Sequence, residues 1–254
     1  MGSISGMAGL DRSKVSPEEW NTRVELAAVY RLLHHYGWDE FIYNHAAARV
    51  PGEPNKFLIK KHDHLYTEVT ASNLVKVDLA EDVDTSLGVN KPGFVLHSGV
   101  LMARPDVNFS IHIHTAIGGA VAALSGGLKM ISQPALRFYG RVGYHEFEGI
   151  TDNAVEREHI ARDLAGHRVL ILRYHGVLTV GEHCAQVFGT LRHLMTACEL
   201  QILAESTGQK LVEISPEICA ATAKQVEETE KKSGNKDMGA YLRLADSLNP
   251  DFRN

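Results

Sequence analysis

The sequence predicts one α/β domain with a central sheet, largely antiparallel or mixed, and helices on its faces. Three observations carry this. Capped periodic helices stand at both ends of the chain. Short apolar runs of strand type lie between them. The two kinds of segment mix without the strict alternation that a wholly parallel sheet would require. At 254 residues the chain is long enough to bury a substantial core, and it contains no repeat, low-complexity segment or long linker.

The elements follow in order. Residues 1–15 are small and flexible in character. Ser16-Pro17-Glu18-Glu19 is a helix start, with Ser as N-cap and Glu19 completing a capping box. The helix should run to about Tyr36, burying Trp20, Val24, Leu26, Ala27, Val29, Tyr30 and Leu33, and Gly37 ends it. Trp38 to Val50 reads as a turn and a first strand. Pro51 to Asn55 is a hairpin-like turn into a second strand, Lys56 to Lys60. Thr70 to Asn73 reads as a short turn or helix, Leu74 to Leu79 alternates as a strand, and Ala80 to Gly88 is an acidic loop.

Phe94 to Met102 has helical spacing and carries His97. Arg104-Pro105-Asp106 turns it into an alternating strand that ends at Ile111-His112-Ile113-His114, after which Thr115 caps a small apolar helix. Residues 125–149 are irregular and glycine-rich. Asn153 to Leu164 is a charged helix, and Arg168 to Arg173 is a buried-type strand that runs into Tyr174-His175-Gly176. Glu182 to Ser206 is the longest periodic helix. Two more, from Ser215-Pro216-Glu217 to about Lys232 and from about Asp237 to Leu248, make residues 211–254 a helical extension of the domain formed by 16–210.

Composition narrows the function. Hydrophobic content of 44% and charged content of 22% are those of a globular chain. The net charge of -5, with no Lys/Arg stripe, argues against a nucleic-acid partner. No apolar run reaches membrane-spanning length, and no charged segment followed by a long apolar core marks a secretion signal. Cys184, Cys198 and Cys219 are odd in number and widely spaced. They read as reduced packing residues and point to a cytoplasmic protein.

Fourteen histidines are the compositional outlier. On a strand, residues i and i+2 share a face, so His112 and His114 aim two imidazoles at one point. His175, at the end of another buried strand and followed by Gly176, supplies a third. Three imidazoles with an open position form a catalytic metal pattern. A second H-x-H, His62 and His64, sits in a charged stretch past a strand and reads as a loop lining a pocket. His97, on an apolar helix face, reads as a buried partner that orients a ligand.

Several motifs resemble the class II aldolase/adducin-head family. They are Tyr43 to Arg49, Thr67 to Asp78, Asn90 to His97, Ala103 to Asp106, Ser110 to Thr115 and Leu172 to Gly181, spread over about Trp20 to Ser206. The resemblance implies a three-layer α/β/α fold with a mostly antiparallel sheet. It also implies metal ligation by His112, His114 and His175, a substrate-lining place for His45, and a tetramer with sites at subunit interfaces. The ion expected is one divalent metal per subunit, zinc first, with manganese or iron(II) as alternatives. Sugar-phosphate aldolases of this family carry a catalytic Glu four residues before the position of His97; here that position is Gly93. The sequence is closer to the branch with Gly-Phe there, which includes adducin heads, decarboxylases of aromatic acids and non-haem iron oxygenases. Departures at residues 61–64 and at Ala47 fall where the family binds substrate.

The expected activity is therefore a metal-dependent lyase. It would act on a small carboxylated or hydroxylated compound by decarboxylation or aldol cleavage, with the metal stabilising enolate-like charge. With Gly93 unable to carry a proton, His145, Tyr139 and Glu148, together with Glu146, are the candidates, His145 because its ordinary pKa is near neutral. A non-haem Fe(II) oxygenase and an adducin-like interaction module are the alternatives.

Overall fold

A computed structural model describes residues 10–80, 85–149, 154–212 and 214–254. Among the described residues seven strands form one sheet: β1 (His45–Val50), β2 (Glu53–Ile59), β3 (Val75–Asp78), β4 (Phe109–Ile113), β5 (Val142–His145), β6 (Val169–Leu172) and β7 (Gly176–Gly181). Their order is β3-β2-β1-β4-β7-β6-β5. Every neighbouring pair is antiparallel except β5–β6, which is parallel. The helix α5 (Ala154–Leu164) makes that parallel crossover.

Side-chain alternation gives the sheet two buried faces. Ala46, Ala48, Phe109, Ile111, Ile113, Val169 and Ile171 pack against α1 (Pro17–His35), α3 (Ala116–Ala123), α4 (Gln133–Leu136), α6 (Cys184–Ser206) and α8 (Met238–Leu248). Ala47, Phe57, Ile59, Leu170, Leu172, Leu178 and Val180 pack against α2 (Lys91–Ala103) and α5. The result is the expected α/β/α sandwich.

Local chemistry sets the helix ends. Ser16 Oγ accepts from Glu19 N at 3.1 Å to open α1, and Thr115 Oγ accepts from Gly118 N at 3.0 Å to open α3. Asn90 Oδ1 accepts from Gly93 N at 3.1 Å, so α2 starts at Lys91. The C-terminal segment belongs to the same body. Ala71 N donates to Phe252 O and Ser72 N to Asn254 O, both at 2.8 Å, and Arg31 pairs with Asp251. The helix α7 (Pro216–Ser233) buries Cys219 and Ala223 and is tied down by Arg137–Glu230, Arg168–Glu230 and Arg141–Glu227 pairs. All three cysteines are free and buried.

Some boundaries differ from the sequence reading. The turn read from Trp38 runs to Asn44 and the first strand begins at His45, because Tyr43 N closes a turn on Glu40 O and Phe41 takes φ +54. Residues 125–149 contain α4 and β5, and residues 176–181 form β7; all three were absent from the pattern-based reading. Within 10–15, Leu10 N bonds Ser72 O at 3.0 Å and Arg12–Lys14 forms a 3-10 turn. Residues 1–9 and part of the acidic loop, 81–84, lie outside the described residues.

Candidate metal centre

The centre is built where β1, β4 and the β6–β7 hairpin end together. In the β1–β4 register His45 stands directly opposite His112, and Ala47 opposite Ser110. Alternation sends His45, Ser110 and His112 to the α2 side of the sheet. His114, two residues on, continues that face one residue beyond β4. His175 sits in the three-residue turn between β6 and β7, where Tyr174 takes φ +57. Gly176 brings this turn against β4: a Cβ there would collide with the Ile113 carbonyl oxygen.

The ring nitrogens of His112, His114 and His175 lie within 4.8 Å of one another. His112 Nε2 is 2.7 Å from His114 Nε2 and 3.3 Å from His175 Nε2. The opposite nitrogens fix the tautomers. His112 Nδ1 faces the Val177 carbonyl at 3.0 Å, so it must carry hydrogen and donate. His114 Nδ1 donates in the same way to Glu40 Oε2 at 2.6 Å. With both rings neutral, the two Nε2 atoms present lone pairs to each other across 2.7 Å. That contact is repulsive unless a cation lies between the rings.

For His112 and His175, protonation is disfavoured as the source of that cation. Burial, and then repulsion from His175, holds His112 well below the usual histidine value. Burial, and then His114, lowers His175 to about 4. The donor set fits a divalent metal.

The surroundings hold the imidazoles in place. Asn44 Oδ1 accepts from His114 N at 2.9 Å, and its Nδ2 donates to Trp38 O at 2.7 Å. His45 is buried and its ring centre is 5.1 Å from that of His112. Its Nδ1 meets His97 Nε2 at 2.8 Å, and His97 Nδ1 meets Ser110 Oγ at 2.6 Å. His97, fully buried, is lowered to about 3 by burial. His45 is held well below the ordinary value by burial and then by His97. A methyl group added to Gly93 would lie 2.8 Å from His45 Cδ2 and 2.9 Å from its Nε2. The His45 ring thus fills the volume that any side chain at 93 would need.

The other sequence-derived candidates lie in different surroundings. His62 Nδ1 contacts Asn90 Nδ2 at 3.0 Å, and its ring is 5.7 Å from that of Tyr43. His64 Nδ1 is buried with no hydrogen-bond partner. Burial lowers both. Neither belongs to the imidazole cluster. His145 ends β5, with Nδ1 2.8 Å from Asp163 Oδ2 and a buried, unpartnered Nε2. Glu148 bonds His159 on α5 at 2.8 Å, Glu146 is exposed near Arg173, and Tyr139 is half-buried. Sequence reasoning missed Glu40, Asn44, Ser110 and Asp163. Each acts across a long-range contact that no local pattern announces.

An α/β/α sandwich with three convergent imidazoles at the strand ends, a donor set that could hold a metal, defines the class of protein. The chain belongs to the Class II Aldolase and Adducin N-terminal domain family, whose profile matches residues 24–202. It is 42% identical over 208 residues to an aldolase class 2 protein of Caulobacter vibrioides, covering 81% of each. It is also 42% identical over 221 residues to alpha-adducin of Rattus norvegicus, covering 84% of this chain and 30% of the adducin. Among solved structures, an aldolase II superfamily protein from Pseudomonas syringae superposes with a TM-score of 0.87 at 42% identity, covering 96% of this chain and 99% of that one. Among the described residues no helix is long and apolar enough to cross a membrane.

Proposed function

We propose that the protein is a divalent-metal-dependent lyase that cleaves a carbon–carbon bond in a small carboxylated or hydroxylated compound. The observation that carries this is the convergence of the His112, His114 and His175 Nε2 lone pairs, with the first two tautomers set by Val177 O and Glu40. A divalent ion held there, zinc first with manganese or iron(II) as alternatives, supplies an electrophile that draws charge from a substrate carbonyl or carboxylate. Three neutral ligands leave that charge largely uncompensated, which suits an anionic or enolisable substrate.

The chain's own residues do the rest. His45 lines the substrate side, beside His112, with its Nδ1 engaged by His97 and its Nε2 left for the substrate. His62 and His64 line the approach. His145, backed by the Asp163 carboxylate as a base is backed in a His–Asp pair, is the proton carrier, ahead of Tyr139 and Glu148. The active form is a cytoplasmic homotetramer.

The test is metal analysis of protein purified without chelator or added metal. About one divalent ion per chain is expected, lost in His112→Ala. Protein that carries no metal, or a His112→Ala variant that keeps it, overturns the reading. Release of carbon dioxide or of an aldehyde from carboxylated and hydroxylated substrates then separates decarboxylation from aldol cleavage. The match to alpha-adducin favours a second reading, an interaction module. Retained partner binding in His112→Ala, with no turnover in the parent protein, would select it.

A further inference from the structure

Lys60 is the first residue past β2, and it is 4% exposed. Its ammonium lies 2.7 Å from the carbonyl oxygen of Ile42, 3.2 Å from those of Lys61 and His62, and 3.3 Å from that of His64. Three N–H groups thus share four carbonyl oxygens, with the Tyr66 ring centre 5.6 Å away. Among the described residues no carboxylate lies within ion-pair distance of it. A buried charge without a counter-ion is costly unless dipoles are aimed at it beforehand. Four converging carbonyls are such a set. They are the donors of a monovalent-cation site, and here the cation is tethered to the chain.

The carbonyls come from two separate segments. Ile42 lies in the turn that carries Glu40 and Asn44, both bonded to His114. Lys61, His62 and His64 form the loop that follows β2. We propose that Lys60 is a positioning residue, a built-in cation that clamps these two segments together and so keeps Glu40 and Asn44 on His114. The effect on metal binding rests on the metal reading above; the clamp itself does not.

Burial lowers the Lys60 pKa to about 8, against an opposing pull from Asp63. The clamp should therefore loosen as pH rises through that value. The groups that face it are His45, His62, His64, Asp63, Tyr30 and Tyr66. The three histidines are held below the ordinary histidine value, and the two tyrosines are pushed above theirs. These five leave Lys60 as the group among them whose charge changes between pH 7 and 9.

The experiment is amide hydrogen exchange in full-length Lys60→Ala, read at Tyr43, His62 and His64. In the parent protein these amides donate to Glu40 O, Gly88 O and Lys61 O. Exchange there should rise about tenfold or more relative to β4 and β7 amides. Propylammonium, which replaces the missing side chain and its charge, should restore protection; propan-1-ol should not. Zinc affinity should fall about tenfold and recover with propylammonium. Unchanged exchange, or equal restoration by the alcohol, overturns the proposal. If Lys60→Ala does not fold, the parent protein decides. Protection at the three amides, corrected for intrinsic rate, should drop between pH 7 and 9 relative to β4 and β7, and a flat ratio overturns the clamp. A response in exchange with no zinc bound by the parent protein would sink the metal reading alone. Bound zinc without the exchange response would sink the clamp alone.

Discussion

Glu40 shows how much of the imidazole cluster is set by residues outside it. It is about half exposed, yet its carboxylate fixes which nitrogen of His114 carries hydrogen and so which one faces His112 and His175. Glu40→Gln keeps the size but replaces a charged acceptor by an amide that can also present a donor. Zinc affinity should fall about 10–100-fold with the fold intact, measured by competition with a chromophoric chelator. Affinity within a factor of two of the parent would show that the carboxylate does not orient the ring. At this scale the convergence of His112 and His114 was legible in the sequence, because strand parity is a local rule and H-x-H obeys it. Glu40 and Asn44 were not, because they reach His114 over seventy or more residues of chain.

Elements meet closely where α2 crosses β1. Gly93 is on α2 and His45 on β1, and the two share one volume. Gly93→Ala should cost about 1–3 kcal/mol in urea unfolding, the usual penalty of overpacking. Removing the ring should remove the conflict, so His45→Ala/Gly93→Ala should regain at least about 1 kcal/mol over the sum of the single changes. Additive effects would show that the helix simply shifts to make room. Three side-chain caps were readable in advance: Ser16, Thr115 and Ser215 each accept from the backbone three residues on. The strands β5 and β7 were not. β7 is buried on both faces and so lacks alternation, and β5 is four residues long with a glycine inside.

For the whole molecule, the buried histidines couple stability to pH. His97 is lowered to about 3 in the folded chain and returns to the ordinary value near 6.5 on unfolding. Between those values the unfolded chain binds the extra proton, so stability is complete above pH 6.5 and is lost as pH falls toward 3. At pH 4.5 one such group costs about 2–3 kcal/mol, at about 1.4 kcal/mol per pH unit. The urea midpoint of metal-free protein should therefore drop between pH 7.5 and 4.5, and drop less in His97→Gln. Equal slopes in the two proteins would remove His97 as the cause. At this scale the sandwich was foreseeable from mixed, capped elements. The strand order was not, because pairing β1 with β4 and β4 with β7 is decided by burial of the whole sheet.

The shared volume of Gly93 and His45 also governs how this chain can change. A mutational path toward a carboxylate at 93 cannot begin at 93, since the first step would be blocked while the imidazole stands opposite. Position 45 must shrink first, and the intermediate then passes through a chain with neither group beside the centre. A library that varies position 93 alone would therefore return few folded proteins and would misreport the site as intolerant. Varying 45 and 93 together should recover new chemistry that each position conceals from the other.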